Sequence, residues 1–263
     1  MESAVVSYRP LSLEGRVAVV IGGTTGIGRA LALGLAQAGA DVVASARGTK
    51  NLDAIAAEIE ALGRRTLRLA SDVADRGSLE ALRDAVLARL GRVDILINCA
   101  GRTQRKPTLE VTDTDWNTIL DTNLTGTLRG CQVFGRVMIE RGYGRIINIA
   151  SLASFAGLFE VAAYAASKAA VAALTRQLAV EWGARGVCVN AIAPGVFRTA
   201  LNSELLDGTA RGQEFLLRTP MRRFGQVEEL AGAAIFLASE SASFVNGEVL
   251  VVDGGFLASG VNQ

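Results

Sequence analysis

The chain contains no histidine. That absence excludes a triad built on an imidazole base and every imidazole metal site. Cysteine is scarce: Cys99, Cys131 and Cys188 lie far apart in apolar contexts. They lack metal-ligand spacing and read as reduced packing residues, so no metal is expected. An excess of one charge is lacking as well. Lys+Arg 27 stands against Asp+Glu 26, which gives no attraction to nucleic acid or to a membrane surface. No run of about 18 apolar residues predicts a membrane span. The opening stretch Met1–Pro10 has neither a basic start nor a long apolar core, so no signal peptide is expected. Linkers rich in Pro and Ser, low-complexity tracts and repeats are all missing. Together these absences predict a soluble, cytoplasmic protein.

What is present is a hydrophobic content of 50% over 263 residues. That is enough for one sizeable core, and one domain over 1–263 is expected, with 1–12 a loose N-terminal segment. Strand-like and helix-like runs alternate. Arg16 to Ile21 is a short β-branched run, followed by Gly22-Gly23-Thr24-Thr25-Gly26-Ile27-Gly28 and a helical stretch closed by Gly39. A strand, a glycine loop and a helix in that order set a helix N-terminus against a phosphate. Further strands are expected at Asp41–Ala46, Thr66–Ala70, Val93–Ile97, Arg145–Ala150, Val187–Ala193 and Glu248–Val252. Helices are expected at Leu52–Leu62, Leu79–Leu90, Asp113–Glu140, Val161–Trp182 and Glu228–Ala238. The stretch from Phe197 to Phe224 is irregular and reads as a lid loop. The alternation predicts an α/β fold, a single-domain Rossmann-like, doubly wound parallel sheet flanked by helices.

The motifs fall at strand C-terminal ends, where ligands bind in such sheets. At the end of the second strand no acid is present and Arg47 is, which favours NADP while leaving NAD possible. Asp72 sits at a strand tip, where it either accepts from an adenine amino group or caps the next turn. Asn98-Cys99-Ala100-Gly101 suggests backbone approaching a ligand. Asn123 interrupts a helical run, for which a local backbone bond or a kink is the plain reason. Tyr164 and Lys168 lie four apart in a run without Pro or Gly, so they share one helix face. A phenol of pKa about 10 beside an ammonium of about 10.4 would have its pKa lowered. Such a tyrosine can exchange a proton with an alcohol or carbonyl oxygen, and Ser151, at a strand end, could hydrogen-bond the same oxygen. A lone Tyr/Lys pair at this spacing is usually a surface pair; these neighbours raise its weight.

Taken in order, these residues resemble the short-chain dehydrogenase/reductase family from Leu13 to about Phe256. The matching pieces are Gly22-x-x-x-Gly26-Ile27-Gly28, Asp72-Val73, Asn98-x-Ala100-Gly101, Asn123, Ser151, Tyr164-x-x-x-Lys168, Asn190, Pro194-Gly195 with Thr199, and Asp253-Gly254-Gly255. The resemblance implies that Tyr164 is the general acid/base and that Lys168 lowers its pKa and holds the nicotinamide ribose. It implies that Ser151 orients the substrate oxygen and that Asn123 supports a water-linked proton relay. Cofactor-binding positions follow from the same likeness: Gly22, Thr24, Thr25, Gly26, Ile27 and Gly28, then Arg47, Asp72, Val73, Asn98, Ala100 and Gly101. Tyr164, Lys168, Pro194, Gly195, Val196 and Thr199 complete them, with Thr199 on the nicotinamide carboxamide. Two positions depart from the family pattern: Ile21 replaces the usual Thr, and Cys99 replaces the second Asn. Loop rigidity is what Ile21 calls into question. The likeness further implies a homotetramer. It is closest in character to gluconate 5-dehydrogenases and 3-oxoacyl-carrier-protein reductases.

The expected function is hydride transfer between NADP(H) and a carbonyl or secondary alcohol of a small-molecule substrate. Arg102, Arg105 and Lys106 on one loop and Arg198, Arg211, Arg218, Arg222 and Arg223 on the lid point to an anionic substrate such as a sugar acid. The alternative for these side chains is solvation or pairing with acids such as Glu204, Asp207 and Glu214. An acyl-thioester reductase, a neutral ketone reductase, a lyase or epimerase using the same pair, and a non-catalytic nucleotide sensor are the competing functions.

Overall fold

The computed structural model describes residues 9–199 and 202–261. Most of the N-terminal segment, and positions 200 and 201 of the expected lid, lie outside the described residues. Among those described, six strands form one parallel sheet: β1 (Val17–Ile21), β2 (Asp41–Ser45), β3 (Ile95–Asn98), β4 (Gly144–Ile149), β5 (Val187–Pro194) and β6 (Val249–Val252). Their spatial order is β2-β1-β3-β4-β5-β6. Ile21 pairs with Ser45 on one side and with Asn98 on the other. The chain leaves β1 in one direction and returns past it to β3, so the sheet's switch point lies between those two strands. A crevice opens there at the strands' C-terminal ends.

The strands are continuous apolar runs because both faces of the sheet are covered. Ala18, Val20, Ile95, Ile97 and Ile147 point to one face and pack with α1 (Gly26–Gln37), α2 (Leu52–Ala61) and α9 (Ala231–Ala238). Val17, Val19, Leu96 and Ile146 point to the other. There they meet α3 (Arg76–Leu90), α5 (Gly126–Arg141) and α6 (Ala162–Trp182) through Leu82, Phe134 and Leu178. Alternate residues serve alternate layers, as the period of two requires. No helix of the described residues is long and apolar enough to cross a membrane.

Three expectations are revised. The strand expected at Thr66–Ala70 does not form a ladder. That segment runs beside β2, held by Val42 N–H to the Arg65 carbonyl at 3.1 Å, Ser71 N–H to the Ala46 carbonyl at 3.2 Å, and Ser45 Oγ to the Leu69 carbonyl at 2.6 Å. Second, the expected lid is not irregular throughout: it contains α7 (Ser203–Leu206) and α8 (Ala210–Arg218). Third, the interruption at Asn123 does not break the helix. α4 (Asp113–Leu120) runs into a single π-helical turn, Asp121–Thr125, and on into α5. A π turn inserts one residue into a helix, and such turns occur frequently at functional sites.

Candidate active site

The glycine loop after β1 is shaped by contacts that exclude side chains. Gly22 has φ +81, and a Cβ there would lie 2.6 Å from the Ala100 backbone nitrogen. The loops after β1 and β3 therefore touch. Gly22 and Gly23 N–H donate to the Ser45 carbonyl at 2.7 and 3.1 Å, which ties the loop down although Ile21 offers no hydroxyl. α1 then begins with Thr25 as a cap that makes no side-chain bond, and its first turn holds no acid. Its first N–H groups have neither a cap nor a carboxylate of their own and suit an anion.

A cavity of about 610 Å³ runs from this loop past Arg47 and Asp72 to Cys99–Thr103, then to Ser151, Tyr164 and Lys168. Its far side is made by Pro194–Phe197, Thr199 and the lid residues Leu206, Arg211 and Phe215. Every residue expected to bind cofactor or act in catalysis lines it except Asn98 and Asn123. Asn98 sits under the floor. Its Nδ2 donates to Asn148 Oδ1 at 2.9 Å, and Asn148 in turn donates to Thr175 Oγ1 at 3.0 Å. That buried chain ties β3, β4 and α6 together. Asn123, fully buried, accepts from Arg102 N–H at 2.8 Å and donates to the Arg102 carbonyl at 2.9 Å and to Ser167 Oγ at 3.0 Å. The π turn thus aims Asn123 at the loop after β3 and at α6. Asp72 uses Oδ1 to accept from Ala74 N–H at 2.9 Å while still lining the cavity, so the turn-capping reading holds for that oxygen.

Ser151 and Tyr164 both line the cavity wall, near enough for Ser151 to act on the phenol. Ser151 is fixed by accepting from Ala153 N–H at 3.1 Å. Lys168 is buried, and its Nζ donates to the Ile149 carbonyl at 2.6 Å, 5.8 Å from the centre of the Tyr164 ring. Burial pulls the Lys168 ammonium down to about 8. Burial also pushes the Tyr164 phenol up, and the neighbouring Ser151 hydroxyl pulls it partly back. Lys168 was expected to lower that phenol. In this arrangement one of its three N–H donors goes to a main-chain carbonyl, and burial dominates the phenol's shift. Ser167, which sequence reading passed over, donates to the Tyr164 carbonyl at 2.7 Å and accepts from Asn123. It couples the π turn to the helix that carries Tyr164 and Lys168.

Of the basic residues around the mouth, most are neutralised. Arg105 Nε donates to Glu160 at 2.7 Å and Lys106 to Asp115 at 2.8 Å. On the lid side Arg198 pairs with Asp207, Arg218 with Glu214 and Arg223 with Glu229. Glu160 takes the left-handed conformation, φ 62, uncommon for a residue with a side chain. Its carbonyl accepts from Lys106 N–H at 2.8 Å, so the loops after β3 and β4 are fastened together. Arg105 does not line the cavity; Arg102 and Arg211 do. The i, i+4 spacing of Arg211 and Phe215 was the signal for a site-facing helix that sequence reading missed.

The family model described as Enoyl-(Acyl carrier protein) reductase matches residues 22–257. The D-threitol dehydrogenase of Mycolicibacterium smegmatis is 42% identical over 244 residues, 93% of this chain and 94% of its own. The 2-dehydro-3-deoxy-D-gluconate 5-dehydrogenase of Bacillus subtilis is 42% identical over 249 residues, 94% and 96% of the two chains. A gluconate 5-dehydrogenase from Burkholderia cenocepacia, solved with NADP and tartrate, superposes with a TM-score of 0.92 at 41% identity and covers 95% and 98%. With Ser151, Tyr164 and Lys168 gathered at one cavity and likeness along nearly the whole chain, the protein belongs to the short-chain dehydrogenase/reductase family, NAD(P)-dependent oxidoreductases acting on CH–OH groups.

Proposed function

We propose that the protein moves a hydride between NADP(H) and the carbonyl or secondary-alcohol carbon of an anionic, polyhydroxylated substrate of the sugar-acid class. The Ser151–Tyr164 pair on the wall of the cavity that also meets the uncapped start of α1 carries the reading. The residues fit a dinucleotide: the α1 N-terminus for the diphosphate, Asp72 and Val73 for the adenosine side, and Thr199 near Gly26 for the carboxamide. Bound NADPH supplies the hydride. Tyr164 gives its phenolic proton to the substrate oxygen in reduction and takes one back in oxidation. Ser151 hydrogen-bonds the same oxygen and fixes its place. Lys168 holds the ribose hydroxyls, and Asn123 steadies the loop through Arg102. The support for a sugar acid is the naming of relatives at about 40% identity for gluconate and 2-dehydro-3-deoxygluconate. A panel of sugar acids, neutral ketones and acyl thioesters, followed by nicotinamide absorbance, tests it; faster turnover of the neutral ketones would reject it.

A neutral polyol is the second reading. The D-threitol dehydrogenase likeness favours it, as does the neutralisation of most basic side chains at the mouth.

Arg47 selects the cofactor in this reading. It is exposed, lines the adenosine end of the cavity and has no ion-pair partner among the described residues. A charge-assisted bond is worth about 1.5–3 kcal/mol. Arg47→Ala is expected to weaken NADPH binding roughly ten- to hundredfold, by that magnitude, and to leave NADH nearly unchanged. Fluorescence titration with both cofactors measures it, and equal losses would remove Arg47 from 2′-phosphate recognition.

We infer a cytoplasmic homotetramer. Among the described residues β6 is an edge strand with an unpaired side, and Phe244 and Val180 expose their side chains almost wholly. Such edges and apolar surfaces are ordinarily covered. Light scattering at micromolar concentration is expected to give four chains; a monomer would reject the assignment.

A further inference from the structure

We propose that Arg211 determines substrate charge, its guanidinium taking the carboxylate of a substrate whose carbonyl lies at Ser151 and Tyr164. The inference rests on the anionic-substrate reading above and names the residue that enforces it. Arg211 lies on α8 and lines the same cavity as Ser151 and Tyr164. Two contacts fix its head group without neutralising it. Nη1 donates to the Phe159 carbonyl at 3.3 Å, and the guanidinium lies over the Phe215 ring, 5.4 Å from its centre. A guanidinium has five N–H donors, so this anchoring leaves donors for a bidentate carboxylate.

The acids that could quench the charge are engaged elsewhere. Glu160 is bound to Arg105 at 2.7 Å, and Glu214 to Arg218 at 3.1 Å. No ion pair joins Arg211 to a carboxylate among the described residues. Its charged form is disfavoured by burial and by the neighbouring Arg105, which Glu160 and Glu214 offset only in part and without an ion pair, and an incoming anion adds a direct partner. Arg102 also lines the cavity, but it follows Ala100 and Gly101, the stretch that abuts the glycine loop at Gly22. Its main chain is held by Asn123 on both N–H and carbonyl, so Arg102→Leu is the parallel variant, expected to leave the acid-over-amide preference in place.

The test compares Arg211→Leu and Arg211→Lys with the wild type on a keto-aldonate and its primary amide, which differ only in charge. Tartrate serves as a dead-end competitor. In Arg211→Leu, KM for the acid and the inhibition constant of tartrate are expected to rise roughly ten- to hundredfold. The kinetics of the amide and the affinity for NADPH should stay unchanged, and Arg211→Lys should recover part of the loss. A purely structural role would instead change both substrates alike, or alter kcat or thermal unfolding, and would overturn the assignment. A wild type that prefers the acid, with Arg211→Leu keeping that preference, rejects Arg211 alone. A wild type that uses the amide as well as the acid rejects the anionic reading and this inference with it.

Discussion

Replacing Tyr164 with phenylalanine is expected to lower turnover by roughly 10²–10⁴-fold, the usual contribution of a positioned acid–base group, while NADPH still binds. The change removes one hydroxyl and little volume, so the half-buried ring keeps its packing. What disappears is the proton donor beside Ser151. The pH dependence separates this from a packing effect. Burial raises the phenol's pKa, so the protonated form prevails through neutral pH in the free enzyme. Reduction consumes that proton, and its rate is expected to be level through neutral pH and to fall only in alkaline solution. Oxidation needs the phenolate and is expected to climb with pH. In Tyr164→Phe both limbs should vanish from the residual rate. Stopped-flow reduction at several pH values with the purified variant measures this, and normal turnover would remove Tyr164 from the chemistry.

Gly28→Ala is expected to abolish measurable cofactor binding and to destabilise the fold by roughly 1–3 kcal/mol, the range for overpacking. A Cβ at Gly28 would lie 2.0 Å from the Gly22 carbonyl oxygen and 2.8 Å from its carbon. Both atoms are main chain, so neither can rotate away. Either the start of α1 or the glycine loop must shift, and with it the N–H groups that face the cavity. Gly232→Ala is the matched control. It lies inside α9, where an added Cβ meets nothing within 4 Å, so the better helix former should be neutral or stabilising by about 0.5–1 kcal/mol. Thermal unfolding and cofactor titration of both variants settle the contrast. Equal behaviour of the two would mean that the close approach at Gly28 is not limiting.

The six strands were legible because a sheet covered on both faces needs uninterrupted β-branched runs, and Val17–Ile21 and Gly144–Ile149 contain them. Thr66–Ala70 misled because apolar alternation alone does not supply a ladder. Arg64 and Arg65 precede it and Arg68 lies within it, and they are drawn to Gly39, Asp41 and Glu60. α8 was hidden by Gly212, which reads as a helix breaker. Its actual role is close packing: a Cβ there would fall 1.9 Å from the Leu206 carbonyl oxygen. The catalytic side chains were legible as a set, since their spacing along the chain is characteristic. The division of labour among the mouth's basic residues was not. Arg105 and Arg211 look alike as letters, and only the position of Glu160 distinguishes a neutralised charge from an available one.

The π turn at Asp121–Thr125 has a consequence for how the gene can change length. An α-helix advances about 100° per residue. A π turn absorbs one extra residue without that advance. Deleting the extra residue would restore plain α-helical winding and leave Phe134 and Met138, fully buried against the sheet, in phase with the core. What would go is the widened turn that aims Asn123 at Arg102 and Ser167. Surface loops can absorb insertions and deletions at little cost. Here a single lost codon is expected to spare the apolar seam and to cost the polar contacts, so length at this point is a matter of the site and not of the fold.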